Sequence, residues 1–201
     1  MATKTTGYSE TTEKNSDTAS RTKESANKAK SGKESLKKIF EELLQDTYNA
    51  EMQLTKALPE LAKASDNDEL QDAFENHLKE TEKQIQRLEK IFSKLQIEKE
   101  GKPCKAMEGL IKESQEIIKE HEQGPARDSA LIIASQKVEH YEIAAYGSLV
   151  ELADVLGLDN IADTLERTLE EEKNADELLS DIAQDVNDEA YEQKSEVEQY
   201  A

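Results

Sequence analysis

From Leu36 to Val186, apolar residues return every three or four positions, the period of a helix with one buried face. Leu36, Phe40, Leu43, Leu44, Leu54, Leu58 and Leu61 predict a long helix opening near Ser31 to Ser35 and bent at Pro59. Ser65-Asp66-Asn67-Asp68 reads as a turn ending in an N-cap. Leu70, Phe74, His77, Leu78, Ile85, Leu88 and Phe92 then predict a second helix that stops before Gly101-Lys102-Pro103. A shorter helix over about Cys104 to Glu120 carries Met107, Leu110, Ile111, Ile117 and Ile118, and Gly124-Pro125 ends it. Leu131, Ala134, Val138, Ala145, Leu149, Leu152 and Leu156 predict a third long helix from about Arg127, with Gly157 in the left-handed C-cap position. The fourth, about Asp159 to Val186, presents Ile161, Leu165, Leu169, Leu179 and Ile182.

This layout is two helical hairpins joined by a long crossover that includes a helix. Such a crossover separates ferritin-like four-helix bundles from simple up-and-down ones, so the expected fold is an all-α, ferritin-like four-helix bundle with a short extra helix in the crossover. The bundle is expected over residues 34–186. Residues 1–33, rich in Ser, Thr, Lys and Gly with no helical apolar period, are expected to form a disordered polar tail, and residues 187–201 a frayed acidic one.

Acidic residues interrupt the apolar stripes. In Val138-Glu139-His140-Tyr141-Glu142, Glu142 falls on the stripe itself, with Lys137 one turn away as the nearest basic residue of that face. A carboxylate in a bundle interior costs several kcal/mol unless a positive partner meets it, and a metal ion is the partner this pattern suggests. Residues 48–91 also match 139–182 without gaps at 12 of 44 positions, pairing Glu51 with Glu142, Asp68 with Asp159, Glu80 with Glu171 and Leu88 with Leu179. The match sets hairpin on hairpin, and in a bundle built from two such halves the equivalent carboxylates would converge along a pseudo-two-fold axis.

Composition agrees with the class: 7 Gly, 3 Pro and 4% aromatic residues favour helices over strands. The formal charge of −19 argues against binding nucleic acid or an anionic membrane and leaves cations as partners. The single cysteine, Cys104, forms no internal disulfide, and no apolar run reaches the roughly 20 residues of a membrane span. A cytoplasmic location is expected.

The ferritin-like dimetal plan takes one Glu from each of two helices and a Glu-x-x-His from each of the other two. Here the first long helix offers Glu51, and the third offers Glu142 with Glu139 one turn earlier. The second offers His77 and Glu80, the motif in reverse, and the fourth offers Glu171 and Glu172 without a histidine. Glu172 lies on the apolar stripe and Glu171 is the repeat mate of Glu80, so either is a candidate for the inward position. A solvated flank accounts equally well for Glu80, Glu139 and Glu171 taken singly, and His77 alone would read as a core histidine. His140 and Tyr48 are candidates for a position next to the metal or for exposure and packing. A carboxylate-rich, histidine-poor set suits Fe²⁺ or Mn²⁺.

Several stretches together are specific to a family. Tyr48-Asn-Ala-Glu51-Met-Gln-Leu-Thr-Lys-Ala-Leu-Pro59, His77-Leu-Lys-Glu80-Thr-Glu82, Cys104-Lys-Ala-Met-Glu-Gly-Leu110, Val138-Glu-His-Tyr-Glu-Ile143 with Tyr146-Gly147, and Leu169-Glu-Glu-Glu172 resemble the YciE/YciF family of bacterial ferritin-like stress proteins over Leu36 to about Gln184. The resemblance implies a rubrerythrin-like fold, a homodimer, a link to general and osmotic stress, and Glu51, His77, Glu80, Glu139, Glu142 and Glu172 as metal residues. Two functions are expected from this reading. One is a dimetal oxidoreductase holding two divalent ions, iron or manganese, and acting on O₂, peroxide or Fe²⁺. The other is a non-enzymatic acidic helical dimer that protects other molecules under stress, with a structural or vestigial metal site.

Overall fold

In the computed structural model, residues 14–193 are described, with side chains from Lys30 onward. They form five helices and no strand: α1 (Lys14–Ala64), α2 (Asp68–Leu95), α3 (Lys105–Glu120), α4 (Pro125–Leu156) and α5 (Asp159–Glu192). Four long helices close a ring in which α1 packs on α2 and α4, and α5 packs on α4 and α2, while α3 lies in the crossover against α1 and α4. This is the ferritin-like four-helix bundle with an extra crossover helix that the pattern predicts. None of the described helices is long and apolar enough to cross a membrane.

The expected boundary at residue 34 is not where α1 begins, because the helix runs back to Lys14. Residues 14–33 contain no Pro and a single Gly, Gly32. A helix already nucleated by packing from Phe40 onward gains one hydrogen bond for each residue it adds and needs no new nucleus to extend back through this stretch. Residues 1–13 and 194–201 lie outside the described part, and α5 continues six residues past the expected end at Val186, to Glu192. Pro59 stands inside α1 with its ring exposed.

Local signals fix the ends. Asn67 caps α2, its Oδ1 accepting the Leu70 N–H at 3.0 Å, and Gly157 (φ 74°, ψ 38°) ends α4 in the left-handed region that glycine tolerates best. Gly124-Pro125 starts α4 where it was expected to stop the preceding helix, and proline at the first helical position loses no hydrogen bond there. Gly101 permits close docking of the crossover on α1, since a Cβ there would meet Gln45 Cβ at 2.7 Å.

Asp128, in the first turn of α4, is fully buried and ties the α1–α2 turn to α4. Its carboxylate accepts the Asp66 N–H at 3.0 Å and the Asn67 N–H at 2.7 Å. Replacing it strands two backbone donors, so Asp128→Ala is expected to lower stability by about 2–3 kcal/mol. A urea midpoint equal to that of the wild type would contradict this.

The core falls into two apolar halves. One gathers Leu54, Leu58, Leu70, Phe74, Met107, Leu131, Leu179 and Ile182, and the other Phe40, Leu44, Leu88, Phe92, Tyr146, Leu149, Ile161 and Leu165. Between them all four long helices turn polar or charged residues inward: Thr47, Glu51, His77, Thr81, Gln84, Glu139, Glu142, Thr168 and Glu172 are all buried.

Candidate metal centre

The polar layer arises from helical spacing. His77 is seven residues past Leu70 on the buried face of α2. Glu139 and Glu142 are one turn apart on α4, and Glu172 follows Leu165 by seven on α5. One ligand atom each from His77, Glu139, Glu142 and Glu172 lies within 4.8 Å of the others, and all four residues are buried. His77 Nε2 is 3.6 Å from Glu139 Oε1 and 3.8 Å from Glu172 Oε2. Two oxygens on opposite sides of one ion at about 2.1 Å each are ~4.2 Å apart, so no pair in the cluster has to close by more than about 0.6 Å to reach the span of a coordination shell.

The polar atoms here lack partners. Both nitrogens of His77, both carboxylate oxygens of Glu142, Glu139 Oε2 and Glu172 Oε2 are buried without a hydrogen bond. Buried polar groups are almost always satisfied, so a concentration of orphans marks a place built for something else. Burial pushes Glu139 up to about 8 and Glu142 and Glu172 well above the usual carboxylate range, each neighbour's charge adding to the effect. Burial also pushes His77 down to about 4, keeping the imidazole neutral and able to ligate. Four oxygen and nitrogen donors with three carboxylates fit a hard-to-borderline divalent ion such as Fe²⁺ or Mn²⁺.

A cavity of about 190 Å³ reaches this cluster, lined by His77, Glu80, Glu139, Glu171, Asn174 and Leu178 among others. Of the four clustered residues, His77 and Glu139 face it.

The family model described as a domain of unknown function, DUF892, matches residues 35–192. The chain belongs to the DUF892 family. Protein YciF of Escherichia coli (strain K12) is 50% identical over 146 residues, which is 72% of this chain and 88% of that protein. The crystal structure of the E. coli stress protein YciF aligns with a TM-score of 0.74 at 47% identity, covering 76% of this chain and 97% of that one. YcfI of Rhodopseudomonas palustris aligns with a TM-score of 0.70 at 41% identity, over 72% of this chain and 92% of its own. A Xanthomonas campestris protein with a TM-score of 0.61 and 20% identity shares the fold. The resemblance to YciF-type stress proteins is thus established.

Within this DUF892 bundle, the sequence candidates separate. His77, Glu139, Glu142 and Glu172 come together. Of the two acids on α5, Glu172 turns inward, whereas Glu171 pairs with the Arg87 guanidinium, whose Nη2 donates to its Oε1 at 2.7 Å. Burial works against ionising Glu171, but the Arg87 hydrogen bond and charge outweigh it and hold its carboxyl below the usual range. Glu51 is fully buried but outside the cluster, its Oε1 accepting the Tyr146 hydroxyl hydrogen bond. Glu80 is half-buried at the cavity wall and does not join the ligands. His140 is exposed, with Nδ1 against the Gln136 carbonyl at 2.7 Å and Asp176 at 3.4 Å. Tyr48 donates to Glu89 at 3.2 Å and packs edge-on against Phe92, away from the cluster.

Sequence reasoning missed Gln84, Arg87, Thr81 and Tyr146. Gln84 Nε2 donates to Glu172 Oε1 at 2.5 Å and orients it. Arg87 on α2 and Thr168 on α5 meet at 3.1 Å. A signal existed for two of them: Tyr146 is one turn past Glu142, and Gln84 is two turns past His77, each on the same face as the residue it follows. Lys137, the one nearby base the sequence suggested, reaches outward to Glu113 instead.

Proposed function

We propose that this YciF-type protein binds a redox-active divalent ion, Fe²⁺ or Mn²⁺, through His77, Glu139, Glu142 and Glu172, and uses it to consume O₂ or peroxide or to oxidise Fe²⁺ under stress. The observation that carries this reading is the convergence of three buried carboxylates and a neutral imidazole whose facing atoms have no protein partner. A bound iron or manganese ion would supply one-electron exchange with a small oxygen species.

The chain's own residues do the rest. Gln84 fixes the rotamer of Glu172, and Tyr146 fixes that of Glu51. Arg87 keeps Glu171 off the cluster. The apolar halves pack on either side of the polar layer, and the cavity between α2 and α5 opens onto His77 and Glu139. Three carboxylates favour the more highly charged, oxidised ion.

Aerobic addition of Fe²⁺ to metal-stripped protein is the direct test. Oxidation faster than in buffer, abolished by Glu142→Gln, is the expected result. Oxidation no faster than in buffer would favour the protective, non-enzymatic reading.

A further inference from the structure

The ligand cluster has a counterpart across the internal repeat, and that counterpart holds other residues at three of its four positions. At the repeat's offset, Glu142 pairs with Glu51, Glu139 with Tyr48, Glu172 with Thr81, and His77 with Thr168. A symmetric dinuclear centre needs carboxylates on both sides of the axis. On one side here stand three carboxylates and an imidazole, and on the other a single carboxylate, a phenol and two hydroxyls.

The structure shows what the second side holds. Glu51 accepts from Tyr146, and Tyr48 turns away to Glu89. Thr81 is fully buried. Thr168 accepts from Arg87 at 3.1 Å, and Arg87 also forks onto Glu171. Gln84, three residues past Thr81, points its amide at Glu172. Glu51 Oε2, Thr81 Oγ1 and Gln84 Oε1 are buried there without a partner, but only the first belongs to a carboxylate, so a cation on this side would meet one carboxylate beside the Arg87 guanidinium where the other side offers three carboxylates and an imidazole. Arg87 acts on Glu51 through its charge as well.

We propose that the bundle binds one metal ion per chain, held by His77, Glu139, Glu142 and Glu172, and that Arg87, Gln84 and Tyr146 supply the positive charge and donors that a second ion would provide in a symmetric centre. The proposal rests on the metal-binding reading above and narrows it. One ion suffices on this reading because Glu171 is taken by Arg87 and Glu51 is the lone carboxylate of the second side, with Oε1 already bonded to Tyr146 and only Oε2 left without a partner.

Manganese loading tests it. Metal-stripped full-length protein is loaded with excess Mn²⁺ and desalted, the metal is counted per chain, and the electron paramagnetic resonance spectrum is recorded. One ion per chain with the hyperfine sextet of an isolated Mn²⁺ is the expected result. Glu51→Gln should keep that ion, and Glu142→Gln should lose it. Two ions per chain with an exchange-coupled spectrum would overturn this inference and leave metal binding intact, as would loss of the only ion in Glu51→Gln. No ion in the wild type would overturn both.

Discussion

Metal-stripped protein given Mn²⁺ or Fe²⁺ at 100 times the dissociation constant is expected to gain about 2.7 kcal/mol of stability, because the ion binds the folded cluster and not the unfolded chain. For a domain of this size that is a rise in Tm of roughly 5–10 °C. Glu142→Gln is expected to remove the gain entirely, since Glu142 gives the cluster a ligand atom and neither of its oxygens has a hydrogen-bond partner. The same variant should make the metal-free protein more stable than the wild type. Glutamine has the shape of the protonated acid, carries no charge to bury, and adds an amide that can donate to Glu139 or Glu172. Opposite signs in the two states identify a site kept for binding at the expense of stability. A variant equally destabilised with and without metal would show Glu142 to be a packing residue.

Without metal, stability is expected to fall as pH rises from about 5 to 8. Burial raises Glu51 and Glu139 from 4.5 to about 8, and Glu142 and Glu172 rise with them. A raised folded-state pKa means that the native protein keeps a proton the unfolded chain has released. The stabilising contribution is therefore complete below 4.5 and lost on the way up through about 8. Between pH 5.5 and 8 one such group amounts to roughly 3 kcal/mol. His77 runs the other way: lowered from 6.5 to about 4, it contributes above 6.5 and loses that contribution as pH falls through 4. Four carboxyls outweigh one imidazole above pH 5. Urea midpoints of stripped protein should thus be lower at pH 8 than at pH 5.5, while loaded protein shows no such fall because binding strengthens as the ligands lose protons. A stripped protein as stable at pH 8 as at 5.5 would contradict the burial argument.

How far the site was readable is clearest at particular residues. Glu142 and Glu172 announced themselves by standing on apolar stripes, where a charge needs a reason. Choosing Glu172 over its neighbour Glu171 was beyond pattern alone, because adjacent positions on a helix point about 100° apart and the stripe of α5 is wide enough to admit either. Arg87 on α2 decided it by taking Glu171 at the edge of the α2–α5 interface. Glu80 had the same sequence credentials as Glu139, yet α2 is rotated so that Thr81 and Gln84, not Glu80, face the centre.

By itself the sequence determined the helices, their hairpin pairing through the long crossover, and an acidic interior. These follow from the period of apolar residues and from Gly, Pro and Asn at fixed points, all local properties of the chain. Tertiary structure alone decided which acids share one point and which are drawn off by Arg87 and Tyr146. That outcome depends on the rotation of each helix about its axis and on contacts between residues up to 95 positions apart. A residue's chemistry is local, but its partner is whatever the packing of four helices sets within about 3 Å of it.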